Sequence, residues 1–121
     1  MGTPDFEDIY KVFFNTIAEG LLIVNSQGEI IMANPRAGEL FACDKDELLN
    51  EKVESLIPMA SRKKHVKLRE NYQKDPHKRQ MGQNLNLQAV RKDGSMFDVE
   101  ISLNYFHSQN ETYVVPRADT R

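Results

Sequence analysis

Alternating apolar and polar residues in the second half of the chain predict a β-hairpin over residues 84–106. Its turn is Lys92-Asp93-Gly94-Ser95, in which Asp-Gly supplies the positive φ angles that a hairpin turn needs. The inner positions of the first arm are Leu85, Leu87 and Ala89, and those of the second are Phe97, Val99, Ile101, Leu103 and Tyr105. Each arm therefore covers a core on one side only, and the small Ala89 leaves room for a ligand there.

Apolar residues at helical spacing predict an amphipathic helix over residues 5–17. The apolar stripe contains Phe6, Ile9, Tyr10, Phe13, Phe14 and Ile17. Such a stripe covers the sheet of its own domain, forms a dimer contact or does both, and these interpretations stay open.

Turn residues and helix-start signals divide the next part of the chain. Two apolar runs, residues 20–25 and 29–33, flank Ser26-Gln27-Gly28 and predict a first hairpin. Asn34 as N-cap and Pro35 at the first helical position then start a short helix. Another short helical piece follows, with the capping-box-like pair Asp44 and Glu47 at its start.

A charged segment, residues 61–74, predicts a longer helix whose buried stripe consists of His65, Leu68 and Tyr72. We interpret its basic residues as a solvated surface, because no aromatic residues are interleaved with them. The basic residues are Arg62, Lys63, Lys64, Lys67 and Arg69.

The last predicted strand starts at residues 112–115, and Pro116 is expected to stop it. We therefore expect an N-terminal cap helix in residues 1–18, a core in residues 19–115 and a disordered or non-native tail in residues 116–121. Strands and helices do not alternate, which favours an antiparallel sheet with helices on one face, an α+β fold.

Composition narrows the class of protein further. With 121 residues, 40% hydrophobic and 28% charged, the chain is long enough for one packed domain. A net charge of −2 favours neither nucleic acid nor an anionic membrane as partner. One cysteine, Cys43, excludes an internal disulfide and makes the cytoplasm the expected location. No apolar run approaches the roughly 20 residues needed to cross a bilayer.

Several short motifs, in order, make the chain resemble the PAS domain family. They are Ile23-Val24-Asn25 with Gly28 and Ile30, Ala33-Asn34 with Leu40-Phe41, Asp46-Glu47-Leu48-Leu49, and Arg91-Lys92-Asp93-Gly94-Ser95 with Phe97, Val99, Glu100 and Ile101. The resemblance implies a five-stranded antiparallel sheet cupped around a cavity by short helices, and usually a dimer. It also implies attachment to a histidine kinase, a diguanylate cyclase or a transcriptional regulator, and a role in sensing, not catalysis.

On this resemblance we expect a sensory domain, most simply of a histidine kinase, that binds a small ligand or cofactor in its core and relays a conformational signal. The alternative is a ligand-free module that forms a homodimer through its sheet and N-terminal helix. The expected lining residues are His65, Leu68, Tyr72, Leu85, Leu87, Phe97, Val99 and Ile101. An enzyme is not expected, since no nucleophile, base and orienting group share a motif.

The resemblance is nearest to the haem-binding oxygen-sensor branch, in which a histidine of the long helix ligates iron. His65 precedes Gly82 by the same 17 positions, and Tyr72 and Arg79 also match. Leu85, however, stands where the oxygen sensors carry their distal arginine. The other interpretation is a partly buried histidine, hydrogen-bonded to a loop or towards Glu70 on its own helix.

Two further residues are candidate cofactor contacts. Cys43 lies outside the asparagine-cysteine-arginine motif of the flavin photosensors of this superfamily, so a small packed thiol is expected and flavin is not. His77 lies beside Lys78 and Arg79 and could meet a haem propionate, although a solvated loop is the simpler interpretation.

Overall fold

A curved antiparallel sheet and a series of short helices make up the computed structural model, which describes residues 2, 5–76, 79–81 and 87–120, the segment 79–81 by its backbone. The helices are α1 (Phe6–Thr16), α2 (Pro35–Leu40) and α3 (Arg62–Lys74). The strands are β1 (Gly20–Val24), β2 (Ile30–Ala33), β3 (Arg79–Met81), β4 (Gln88–Val90), β5 (Met96–Ser108) and β6 (Glu111–Thr120). Three 3-10 turns, Lys45–Leu48, Val53–Leu56 and Met59–Ser61, connect α2 to α3.

The strand order is β2-β1-β6-β5-β3, and β4 also pairs with β5. Both edge pieces contact β5: Arg79 pairs with Leu103, and Ala89 pairs with Phe97. Since β3 and β4 occupy one edge between them, the sheet has five positions, all antiparallel. The expected α+β fold, with a five-stranded antiparallel sheet and short helices, is confirmed.

The predicted hairpin of the second half of the chain is present as β4 and β5. Its turn is stabilised by the Asp93 carboxylate, which accepts hydrogen bonds from the backbone N–H of Ser95 at 2.9 Å and from its hydroxyl at 2.6 Å. Gly94 has a φ of +91°, but Asp93 has no positive φ, so the glycine alone supplies the left-handed angle of this turn. Inner residues of β5 become less buried along the strand, from Val99 at 1% exposed to the half-buried Ile101, Leu103 and Tyr105.

Asn34 connects the first hairpin to α2, and it is fully buried. Its side-chain oxygen caps α2 by accepting from the N–H of Ala37 at 3.0 Å, and it also accepts from the N–H of Leu21 at 2.8 Å. Its amide donates to the carbonyl of Glu19 at 2.9 Å. The predicted N-cap is therefore confirmed, and the same side chain also holds the start of β1.

The prediction that Pro116 ends the last strand is wrong, because β6 continues to Thr120. On one side Pro116 pairs with Leu103 of β5. On the other side the pairing with β1 resumes beyond it, with Leu21 opposite Arg117. The missing N–H of proline therefore interrupts one ladder locally without ending the strand, and residues 116–120 continue the sheet.

The predicted amphipathic helix is confirmed as α1, which Asp5 caps by accepting from the N–H of Asp8 at 2.9 Å. None of its residues is buried, and Phe6, Tyr10 and Phe13 are 80%, 73% and 70% exposed. The apolar stripe is only partly covered, because Phe14 and Ile17 are half-buried while the rest of it lies at the surface.

The core lies between the inner face of the sheet and the helical segments. Leu48, Ile30 and Ala37 are fully buried there. The cluster consists of Leu22, Val24, Ile30, Ala33, Ala37, Leu40, Phe41, Leu48, Leu56, Ala89, Phe97, Val99 and Ala118. A core with contributions from both ends of the chain holds the sheet in one register.

Candidate functional site

Four of the five strand residues expected to line a ligand site lie together on the inner face of the sheet. Phe97 and Val99 are buried at 8% and 1% exposed, and Leu87 and Ile101 pack half-buried against the same cluster. Leu85 lies outside the described residues. We call Leu87, Ala89, Phe97, Val99 and Ile101 the inner wall.

One end of the inner wall is closed by an aromatic contact. The rings of Phe41 and Phe97 meet edge to face, with centroids 5.6 Å apart and planes at 69°. The guanidinium of Arg91 lies 4.2 Å from the centre of the Phe97 ring. The half-buried Leu87 and Ile101 therefore form the more accessible part of the wall.

Helix α3 presents only part of its predicted face to the domain. Tyr72 is buried at 9% exposed and the His65 side chain is one-third exposed, but Leu68 is 50% exposed. The prediction that Leu68 belongs to the buried stripe is wrong. At about 100° per residue, Leu68 lies roughly 60° around the helix from His65, whereas Arg69 lies roughly 40° on the other side. The side of α3 that carries Arg69 packs against the domain because that side chain has a buried partner.

That partner is Glu54, whose side chain in the Val53–Leu56 turn is 8% exposed. Its Oε2 accepts from Nε of Arg69 at 3.0 Å, and Oε1 accepts from a terminal nitrogen of the same guanidinium at 3.3 Å. Nδ1 of His65 lies 2.6 Å from Oε2. We call Glu54, His65 and Arg69 the Glu54 cluster.

Electrostatics in the Glu54 cluster favour the carboxylate form. Burial alone would raise the pKa of Glu54, but the hydrogen bonds and positive charge supplied by Arg69 and His65 outweigh it, so the pKa lies below its usual value of 4.5. A buried carboxylate that stays ionised can hold two basic side chains of α3 in place. The cluster is therefore suited to fixing the position of α3.

Sequence reasoning missed Glu54 and Arg69. It placed the partner of His65 in a loop or at Glu70, and the loop alternative is nearer to the result, because Glu54 belongs to the turn before α3. Two signals were available in the sequence: Glu54 directly follows Val53 and lies two residues before Leu56, and Arg69 follows His65 by one helical turn.

The remaining candidates contribute little to this site. Cys43 is half-buried against the core, and burial raises the pKa of its thiol, with the Glu47 carboxylate adding to the effect. A raised pKa keeps the thiol protonated and unreactive, as expected for a packed cysteine. His77 and Gly82 lie outside the described residues.

His65 meets the chemical requirement for an axial ligand in one respect. Its Nδ1 is bonded to a carboxylate, an arrangement common for metal-bound histidines, and within the described part of the chain Nε2 has no hydrogen-bond partner. No group of three His, Cys, Asp or Glu side chains among the described residues could hold a metal ion. If haem were bound, His65 is the described residue that would be suited to hold its iron.

None of the described helices has the length and apolar character needed to span a membrane. The location predicted from the single cysteine, the cytoplasm, stays a prediction.

An antiparallel sheet whose apolar inner wall is covered by short helices is the architecture of a small α+β domain. A family model described as PAS fold matches residues 8–115 of the 121. The chain therefore belongs to the PAS family, and it is a sensory domain of the kind found in signalling proteins.

Known proteins agree with this assignment. The chain is 24% identical over 105 residues to the oxygen sensor protein DosP of Escherichia coli (strain K12), covering 84% of this chain but 13% of that protein. It thus spans about an eighth of the length of this relative.

Two solved structures show the same fold at low identity. One is a PAS domain from a two-component sensor histidine kinase, with a TM-score of 0.75, 14% identity, and 95% of this chain and 96% of that chain covered. The other is the PAS domain of a protein from Colwellia psychrerythraea, with a TM-score of 0.76, 16% identity, and 96% and 98% covered.

Proposed function

We propose that this chain binds a small, mainly apolar molecule against the inner wall and relays a conformational signal to an attached output domain. The observation that carries the proposal is the inner wall itself, in which Ala89 lies opposite Phe97 while Leu87 and Ile101 remain half-buried. Apolar walls with few polar groups are typical of small-molecule sites. Binding there would favour one arrangement of the sheet and α3 over another.

The proposed output domain is that of a histidine kinase, with a cyclase as the other candidate. The support is the fold shared with a PAS domain from a sensor histidine kinase. Catalysis would then belong to the output domain, and this chain would contribute binding and signal relay.

Native mass spectrometry tests ligand binding. We expect the purified chain to carry a non-covalent small-molecule adduct, which Ala89→Leu reduces or abolishes by placing a larger side chain beside Phe97. Gln88→Leu is the matched control, because Gln88 is exposed on the opposite face of β4 and its replacement should leave the adduct unchanged. A spectrum with only the bare chain would contradict ligand binding.

Haem is the second candidate ligand, and the observation in its favour is that Glu54 holds Nδ1 of His65 while no described residue bonds to Nε2. The resemblance to an oxygen sensor protein adds support. In the same experiment, this candidate requires an adduct with the mass of haem and a Soret absorption band that His65→Ala removes. A colourless chain that takes up no added hemin would contradict it.

We also propose a homodimer through α1 and the outer face of the sheet. The support is the exposed stripe of α1 together with apolar residues on the outer face, where Met32 is 45% exposed and Phe106 is 40% exposed and stacked on Tyr113. Burial of such surfaces is the usual reason for association.

Multi-angle light scattering tests the dimer. We expect Phe13→Glu to convert the dimer to a monomer, because Phe13 is 70% exposed and a charge there would be desolvated at an interface. Asn15→Glu adds the same charge at another exposed position of α1 and should leave the mass unchanged. A wild-type monomer, or a Phe13→Glu dimer, would contradict this surface.

A further inference from the structure

The turn between β1 and β2, residues 25–29, is held as one unit by its own hydrogen bonds. The side-chain oxygen of Asn25 accepts from the backbone N–H of Gln27 at 3.1 Å and of Glu29 at 2.9 Å. The amide of Asn25 donates to the Glu29 carboxylate at 3.0 Å, and the N–H of Gly28 donates to the Asn25 carbonyl at 3.0 Å. A turn with this many internal bonds is expected to move as a unit.

Helix α3 contacts this turn at two points. Nε2 of Gln73 donates to the carbonyl of Asn25 at 2.8 Å. The guanidinium of Arg69, held by Glu54, lies directly against Gly28, where an added Cβ would come within 2.4 Å of Cζ. Because Gly28 also has a φ of +82°, this close approach requires glycine on both counts.

Strand β6 contacts the other side of the same turn. Oε2 of Glu111 accepts from the backbone N–H of Ser26 at 3.0 Å and from its hydroxyl at 2.6 Å. These bonds from Ser26 lower the pKa of Glu111, so the carboxylate stays ionised near neutral pH. Glu111 starts β6, which pairs with β1 on one side and β5 on the other.

We propose that the 25–29 turn couples the position of α3 to β6, in the middle of the sheet. Gln73 on one side of the turn and Glu111 on the other form directional hydrogen bonds with it, so these bonds cannot all be kept when α3 shifts relative to the sheet. Contiguous networks of hydrogen bonds can carry energetic coupling between distant parts of a protein. The inference deepens the proposed sensory function, since it supplies a route from α3 to the sheet.

Amide hydrogen exchange of the ligand-free chain, followed by NMR, tests the coupling. Gln73→Ala removes the bond from α3 to Asn25, and we expect about fivefold faster exchange at the amides of Ser26, Thr112 and Tyr113, the effect of losing one typical hydrogen bond. Asn71→Ala is the matched control, because Asn71 is an exposed amide residue of the same helix and should leave these rates unchanged.

A second set of exchange measurements breaks the contact between the 25–29 turn and β6. Glu111→Ala removes both bonds from Ser26, and in this background we expect Gln73→Ala no longer to accelerate exchange at Thr112 and Tyr113. Unchanged β6 exchange in Gln73→Ala would overturn the coupling, and so would an effect that persists at full size with Glu111→Ala.

The outcome does not depend on ligand binding, because no ligand is present during the exchange measurement. A native mass spectrum without any adduct would therefore contradict the proposed ligand site and leave the coupling unaffected. Unchanged hydrogen exchange in β6 would contradict the coupling and leave the ligand site unaffected.

Discussion

Replacing Asn34 by alanine should lower the free energy of unfolding by about 3–5 kcal/mol, because three backbone groups in buried and half-buried positions lose their partner at once. The N–H groups of Leu21 and Ala37 and the carbonyl of Glu19 all bond to this fully buried side chain. A buried polar group left without a partner costs about 1–3 kcal/mol. Such a loss is a large part of the roughly 5–15 kcal/mol that stabilises a typical domain.

Urea unfolding followed by far-UV circular dichroism measures this change. Asn71→Ala is the control, since it removes an exposed asparagine from α3 and should change stability by less than about 0.5 kcal/mol. If Asn34→Ala and Asn71→Ala unfold at the same urea concentration, the three hydrogen bonds do not have the role assigned to them here.

Asn34 also illustrates what the sequence could and could not predict. Its role as the N-cap of α2 follows from the local pair Asn-Pro, because the capping bond reaches only to Ala37. Its bonds to Leu21 and to Glu19 join segments 13 and 15 residues away and are not encoded in any local pattern. Local signals likewise predicted the hairpin turn at Gly94. Its positive φ follows from the residue being glycine and needs no distant partner.

Predictions failed where the outcome depends on distant partners. Pro116 would end an isolated strand, but β6 has neighbours on both sides that continue past it. Leu68 and Arg69 are adjacent, and only the position of Glu54, 15 residues before Arg69, decides which of them faces the domain. The inner wall was predictable because strand alternation fixes which side chains share a face, whereas the orientation of α3 was not.

Replacing Glu54 by alanine should destabilise the domain by about 3–5 kcal/mol near neutral pH, because it leaves the guanidinium of Arg69, whose side chain is 12% exposed, without its counter-charge. His65 loses its partner in the same change. We expect α3 to separate from the Val53–Leu56 turn more readily, since the three hydrogen bonds that the described residues form between them all end on this carboxylate. Urea unfolding measures the loss, and Glu70→Ala, which removes an exposed carboxylate from α3, is the control.

The contribution of Glu54 should also depend on pH. Its pKa in the folded chain lies below the usual value of 4.5, so the unfolded chain binds a proton first as the pH falls. The stabilisation is therefore fully present above about pH 4.5 and is lost as the pH falls through the lower, folded-state pKa. Glu54→Gln cannot titrate, so the stability difference between wild type and Glu54→Gln should shrink on acidification. Glu70→Gln should retain the wild-type dependence on pH, and a difference that stays constant for Glu54→Gln would show that its carboxylate is not held ionised by Arg69 and His65.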